Sequence, residues 1–219
     1  MLKSINKVIK IMIASDVALL AGFGFITPIF AIFIAQRITA GNTIEAAEIA
    51  GFTMGIYWGV KSIFQIPFGQ YLDKVRGERD DLWFVVVGNV LAALAVLGYI
   101  FSHLAWHIYL CQGIYSLGMA MNIPGWCAIF TRHIDKGKEA FEWSTRSTVI
   151  GIGAAISGSL GGVVVAEFGF NVLFIGAALF ALVSALLPFL IYRDIEPKYP
   201  PVTQAPEAKG LQEPYLPKG

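Results

Sequence analysis

Polar and apolar positions divide the chain into long uncharged runs joined by short charged connections. Six such runs stand out. Ile11–Gln36 holds one charge, Asp16, and Ala50–Leu72 holds one, Lys61. Leu82–Phe101, His107–Thr131, Ser147–Ala166 and Phe168–Tyr192 hold no Asp, Glu, Lys or Arg. A helix needs about 20 mostly apolar residues to cross a bilayer, and each run meets that length. None shows the alternating polarity of a membrane barrel strand. The first is too long for a signal-peptide core and runs through Pro28 without a small-residue cleavage site. The pattern predicts an all-α polytopic membrane protein, with six transmembrane helices in residues 1–192. After Tyr192 the character changes: residues 193–219 carry six of the ten prolines. A Pro-rich disordered cytoplasmic tail is expected there.

Composition agrees with the pattern. Of 219 residues, 56% are hydrophobic and only 14% charged, with a mean hydropathy of +0.66. Too few charges remain to coat a soluble domain of this size. A net charge of +1 supplies no basic field, so no nucleic-acid partner is expected. Cys111 and Cys127 cannot make a disulfide framework, and both read as small apolar residues. No zinc-protease, nucleophile-elbow or phosphate-loop motif is present, so neither an enzyme nor a cofactor is expected.

The connections set the orientation. With the amino terminus in the cytoplasm, 14 of the 16 basic residues lie inside, Arg37 lies outside and Lys61 lies in the membrane. Lys7, Lys74, Arg79, Arg132 and Arg146 are among those inside. So lopsided a distribution places both termini in the cytoplasm of a plasma-membrane protein. Short outer turns are expected at Ser102–Trp106 and Glu167–Phe168, with Trp106 as an interfacial anchor.

Two charges fall inside the predicted spans. Asp16 lies about 9 Å in from the cytoplasmic edge and Lys61 about 18 Å in, at 1.5 Å per residue. With the reach of a lysine stem the two can pair. Intramembrane ionisable groups ordinarily face an interior or a wet cavity. Trp58, Lys61 and Gln65 share one helical face, as do Gln112, Tyr115, Ser116, Met119 and Asn122. Such stripes fit a substrate or proton cavity; interhelical hydrogen bonds fit them too. His103 and His107 near the outer edge read as surface histidines or as a proton-accessible switch. Gly151, Ala155, Gly158 and Gly162 line one face, where another backbone can approach closely.

The segment Gly69-Gln70-Tyr71-Leu72-Asp73-Lys74-Val75-Arg76-Gly77-Glu78-Arg79 is the most specific signal. It resembles the major facilitator signature G-x-L-x-D-R/K-x-G-R/K-R/K at the same topological place. Gly69, Asp73 and Lys74 align directly, whereas Gly77 and Arg79 align with one inserted residue. Gln112-Gly113, followed by Gly118 and Pro124, resembles the fourth-helix pattern, with Tyr109 where an arginine often stands. Arg132–Arg146 and the glycine-rich run after it resemble the central connection. The resemblance implies one six-helix half made of two inverted three-helix repeats. Members hold their solute at the midplane between two such halves. It also implies that the first, second, fourth and fifth helices face the cavity. Asp73 and its basic neighbours would hold the cytoplasmic ends together.

The resulting expectation is a half-size secondary transporter of a small solute that acts as a homo-oligomer, a dimer rocking about a central site. A non-transporting scaffold or subunit with the same fold, and a fragment of a full-length transporter, fit the same residues.

Overall fold

The computed structural model describes residues 5–74 and 77–195. The proline-rich tail beyond Ile195, and Arg76 of the signature segment, lie outside the described residues. The described residues are all helical, without strands, apart from short turns. Helix α1 is Lys7–Ile26, α2 Phe30–Arg37, α3 Thr43–Lys74, α4 Glu78–Ile100, α5 Ala105–His133 and α6 Glu139–Leu186.

Proline and glycine set the breaks. Pro28 lacks the N–H an α-helix needs, and the chain tightens to a 3-10 turn at Thr27–Ile29 between α1 and α2. Asn6 caps α1, its side-chain oxygen accepting from the Ile9 amide at 2.9 Å. His107 does the same for α5: its Nδ1 accepts from the backbone amides of His103 and Leu104 at 3.2 and 3.3 Å. That gives this imidazole a capping role at the start of α5.

The 48 residues of α6 would reach about 72 Å if straight. They do not run straight, because Gly169 has φ +79°, which a side-chain-bearing residue rarely adopts. The chain reverses there. Arg146 before the bend faces Asp16, Asn171 just after it bonds Arg37, and Asp194 beyond α6 pairs with Lys7. The ascending segment therefore runs parallel to α1 and the returning segment antiparallel. The predicted stretches Ser147–Ala166 and Phe168–Tyr192 lie on either side of this bend.

Among the described residues, three helical segments are long and apolar enough to cross a membrane by length and composition. They are Lys7–Arg37, Glu78–Ile100 and Glu139–Ile191, with mean hydropathies of 2.4, 2.1 and 2.5. The more polar stripes of the sequence lie on α3 and α5.

Helices pair through glycine. A Cβ on Gly118 would stand 2.5 Å from the Gly88 carbonyl oxygen, and one on Gly88 would strike the Gly118 carbonyl. The α4 and α5 backbones thus touch where they cross. A Cβ on Gly161 would likewise strike the Phe25 carbonyl, bringing α6 against α1. Beside these crossings runs a buried polar chain. Asn122 donates to Asn89 at 2.7 Å, Asn89 donates to Ser184 at 2.9 Å, and Ser184 donates to the Ser15 carbonyl at 2.6 Å. One network therefore ties α5, α4, α6 and α1 together. Of the expected row on α6, Gly158 lies near the Gly24 carbonyl at 3.8 Å for an added Cβ, while Gly151 and Gly162 face open space.

The end of the molecule where α1 begins is held by charge. Arg132 at the end of α5 donates from Nε to Glu78 at 2.7 Å and from Nη2 to Asp81, both in the first turn of α4. Both carboxylates are buried, and the α4 N-terminus favours their charge. Nearby, hydrogen bonds from Asn6 and Lys138 hold the Asp135 carboxyl below its usual range.

A Gly118→Leu substitution forces the α4–α5 crossing apart, since no rotamer change moves a backbone carbonyl. Thermal unfolding of the purified protein in lipid nanodiscs is expected to fall by several degrees. Gly113→Leu, at a position with open space, is expected to leave it within the error of measurement.

Candidate functional site

Five aromatic side chains help to line a cavity of about 390 Å³ at the far half of the bundle. Phe23 and Ile26 of α1, Phe30 and Ala31 of α2, Thr53 and Tyr57 of α3, Tyr99 of α4, and Gln112 and Tyr115 of α5 contribute to its walls. Its rings are packed before anything binds. Phe23 and Tyr115 have centroids 4.2 Å apart, Tyr57 stacks on Tyr115 at 5.7 Å, and Phe30 meets Tyr99 edge-on at 5.3 Å. Tyr99 donates its hydroxyl to Gln112 Oε1 at 2.6 Å, fixing the amide orientation. The Thr27 and Thr53 hydroxyls return to carbonyls of the preceding turn, at Phe23 and Ile49.

The sequence-named residues divide. Gln112 and Tyr115 line this cavity. Asn122, named for the same cavity, is instead buried in the network with Asn89 and Ser184. It lies on the α5 face turned to α4, where an unpaired amide would be costly. Ser116 likewise bonds back to the Gln112 carbonyl. Trp58 is 55% exposed on the open side of α3. Lys61 lies over the rings of Trp58 and Tyr57, at 4.4 and 5.3 Å from their centroids. Gln65 is half-buried one turn further along α3.

Asp16 has a partner other than Lys61. Arg146 Nη2 lies 2.6 Å from Asp16 Oδ2. The guanidinium sits over Trp126 at 4.4 Å, with Trp143 at 5.7 Å, and the Trp126 indole N–H donates to the Met12 carbonyl at 3.0 Å. Asp16 is buried at 8% exposure, and Arg146 Nε has no acceptor among the described residues. The contact is an ion pair with donor capacity to spare. The uncharged run Ser147–Ala166 begins just after Arg146, so the sequence alone puts Arg146 in a connection. The α6 helix begins at Glu139, seven residues earlier, and carries Trp143 and Arg146 one turn apart on one face. That i, i+3 spacing was the available signal.

The signature segment closes the α1 end of the molecule. Gly69 sits where α3 passes α5, near Pro124. Asp73 and Lys74 are exposed in the last turn of α3. Gly77 is the residue before α4, in extended conformation, and Arg79 lies over the Tyr192 ring at 4.7 Å. The sequence profile of the Major Facilitator Superfamily matches residues 12–217, nearly the whole chain. This chain is a major facilitator. As such it is an integral membrane protein of a transporter-type superfamily, whose members are transporters rather than enzymes. No curated protein is matched by the chain. Within the major facilitator frame, the segment after α3 supplies the buried Glu78 and Asp81 that hold Arg132. Sequence reading did not single out that triad.

If Asp16 and Arg146 form one unit, their substitutions are not additive. Asp16→Asn and Arg146→Gln are each expected to cost about 2 kcal/mol, by stranding a partly buried charge. The double variant is expected to cost clearly less than the two singles together. Chemical denaturation in detergent, run as a double-mutant cycle, measures the difference; additive losses would refute the pairing.

Proposed function

We propose that this major facilitator is a secondary-active transporter of a small solute that works as a pair of copies by alternating access. In this reading α1 with α2, α3, α4, α5 and the two arms of α6 make six crossings of the plasma membrane. Both termini are cytoplasmic, following the basic residues. Each chain is one half built from two inverted three-helix repeats. The solute path runs between the aromatic cavity of each copy, past Lys61 on α3 and the Asp16–Arg146 pair at the cytoplasmic end.

The observation that carries the reading is the open face of α3 beside the cavity. Gly51, Gly55 and Gly59 recur every fourth residue, and an added Cβ at any of them would meet nothing within 4 Å. Large apolar side chains flank this row, Phe52 at 61%, Met54 at 57% and Trp58 at 55% exposure. Gly88, Gly118 and Gly161 are by contrast pressed against a neighbouring backbone, while Gly151 and Gly162 on α6 are bare as this row is. A bare row of this kind suits a second helix lying across it, since small residues are what helix contacts in lipid use. A second copy provides that helix, with two cavities closing on one path.

Native mass measurement from lipid nanodiscs is expected to give twice the 23.8 kDa chain mass. In proteoliposomes with an entrapped pH dye, screening a solute library is expected to find a saturable, solute-driven proton flux that Asp16→Asn abolishes. A monomer at all concentrations, with no flux above protein-free vesicles, would overturn the reading in favour of a non-transporting subunit or a fragment of a longer transporter.

A further inference from the structure

The walls of the aromatic cavity limit what it can hold. None of the residues lining it carries a charge. Its volume of about 390 Å³ lies in the range of small-ligand sites. Most of its polar atoms are already used. The threonine hydroxyls are bonded to their own helices, and Gln112 Oε1 accepts from Tyr99. What remains is the Gln112 amide nitrogen, with two hydrogens to donate, and the Tyr57 and Tyr115 hydroxyls. Among the described residues these three groups make no hydrogen bond. The Gln112 donors are held in place by Tyr99 from behind, so their direction is fixed before a ligand arrives. Behind the Tyr57 wall lies a fixed positive charge, Lys61 Nζ, 5.3 Å from that ring's centroid. A cation in the cavity would meet both this charge and the lack of any carboxylate.

We propose that the cavity binds a flat or two-ringed aromatic solute that carries an oxygen acceptor and no positive charge. The Gln112 amide takes the acceptor, and Phe23, Phe30, Tyr57 and Tyr115 take the rings. Aromatic walls contribute through face and edge contacts. The single directed donor pair provides selectivity, because an unmet donor in an apolar site is costly. The proposal rests on the transport reading for the passage of this solute, and not for its binding.

Benzophenone tests it, being neutral, two-ringed, ketone-bearing and photoreactive. The full chain in lipid nanodiscs is titrated with benzophenone, irradiated, and its labelled peptides are mapped. Saturable labelling is expected on α1, α3 and α5 at the cavity. Half-saturation should rise about tenfold in Gln112→Leu, the loss of one directed hydrogen bond. Ala31→Trp enters from the exposed rim and should abolish the labelling without touching the core. A benzophenone carrying a trimethylammonium group should label the wild-type cavity weakly and the Lys61→Met variant more strongly. Unsaturable labelling spread over all helices, unchanged by Ala31→Trp, would overturn the proposal. Preferential labelling by the cationic probe would also overturn it. Saturable labelling without solute flux would uphold this site and count against the transport reading; flux without saturable labelling would do the reverse.

Discussion

The structure depends on backbones touching. In lipid, two apolar side chains gain little by leaving the solvent for each other, because the solvent is as apolar as they are. Helices there associate through close packing and through hydrogen bonds that the bilayer cannot supply. Both appear at the same places. Gly88 meets Gly118 where α4 crosses α5, and Asn89 and Asn122 bond beside that crossing. Gly161 meets Phe25 where α6 crosses α1, and Ser15 and Ser184 bond further along the same pair. The crossings position everything else: the Arg132 triad at one end, the cavity toward the other, and the Asp16–Arg146 pair along the α1–α6 contact.

How far this was legible in the sequence depends on the kind of signal. Runs without charge announce apolar helices, because burial in lipid excludes charge over a length that is easily counted. The same runs conceal where a helix begins. Hydropathy marks a membrane edge, whereas a helix continues past it for as long as its hydrogen bonds do. Arg146 was lost to that difference: it stands before the uncharged run and yet two turns inside α6. Asp16 stands out in the sequence as a charge within a span, with a pairing to Lys61 left open; the structure pairs it with Arg146, since a linear reading sees depth and not azimuth. Asn122 shows the same limit. Its spacing placed it on a face with Gln112, but ten residues of helix turn that face far enough to set Asn122 against α4. The aromatic cavity was only half legible. Gln112 and Tyr115 belonged to a visible stripe, while Phe23, Phe30 and Tyr57 come from helices whose contact no spacing reveals.

The charge pattern links structure to mechanism. At the end where α1 begins, Arg132, Glu78 and Asp81 make a buried cluster, and Lys7 with Asp194 an exposed one. Buried ion pairs add little net stability against apolar substitutes, but removing one partner is costly. Between the ends lie the open row on α3 and the uncharged cavity, with Lys61 over the rings of Trp58 and Tyr57.

The central claim is that the Gly51–Gly55–Gly59 row is covered by a second copy. Cysteine crosslinking in native membranes tests it most directly. Cys111 and Cys127 are first replaced by alanine, and single cysteines are placed at Gly55 on the row or at Leu94, an exposed residue on α4. A short bismaleimide should join two chains through Gly55→Cys and leave Leu94→Cys monomeric. Crosslinking through Leu94→Cys, with none through Gly55→Cys, would contradict the account.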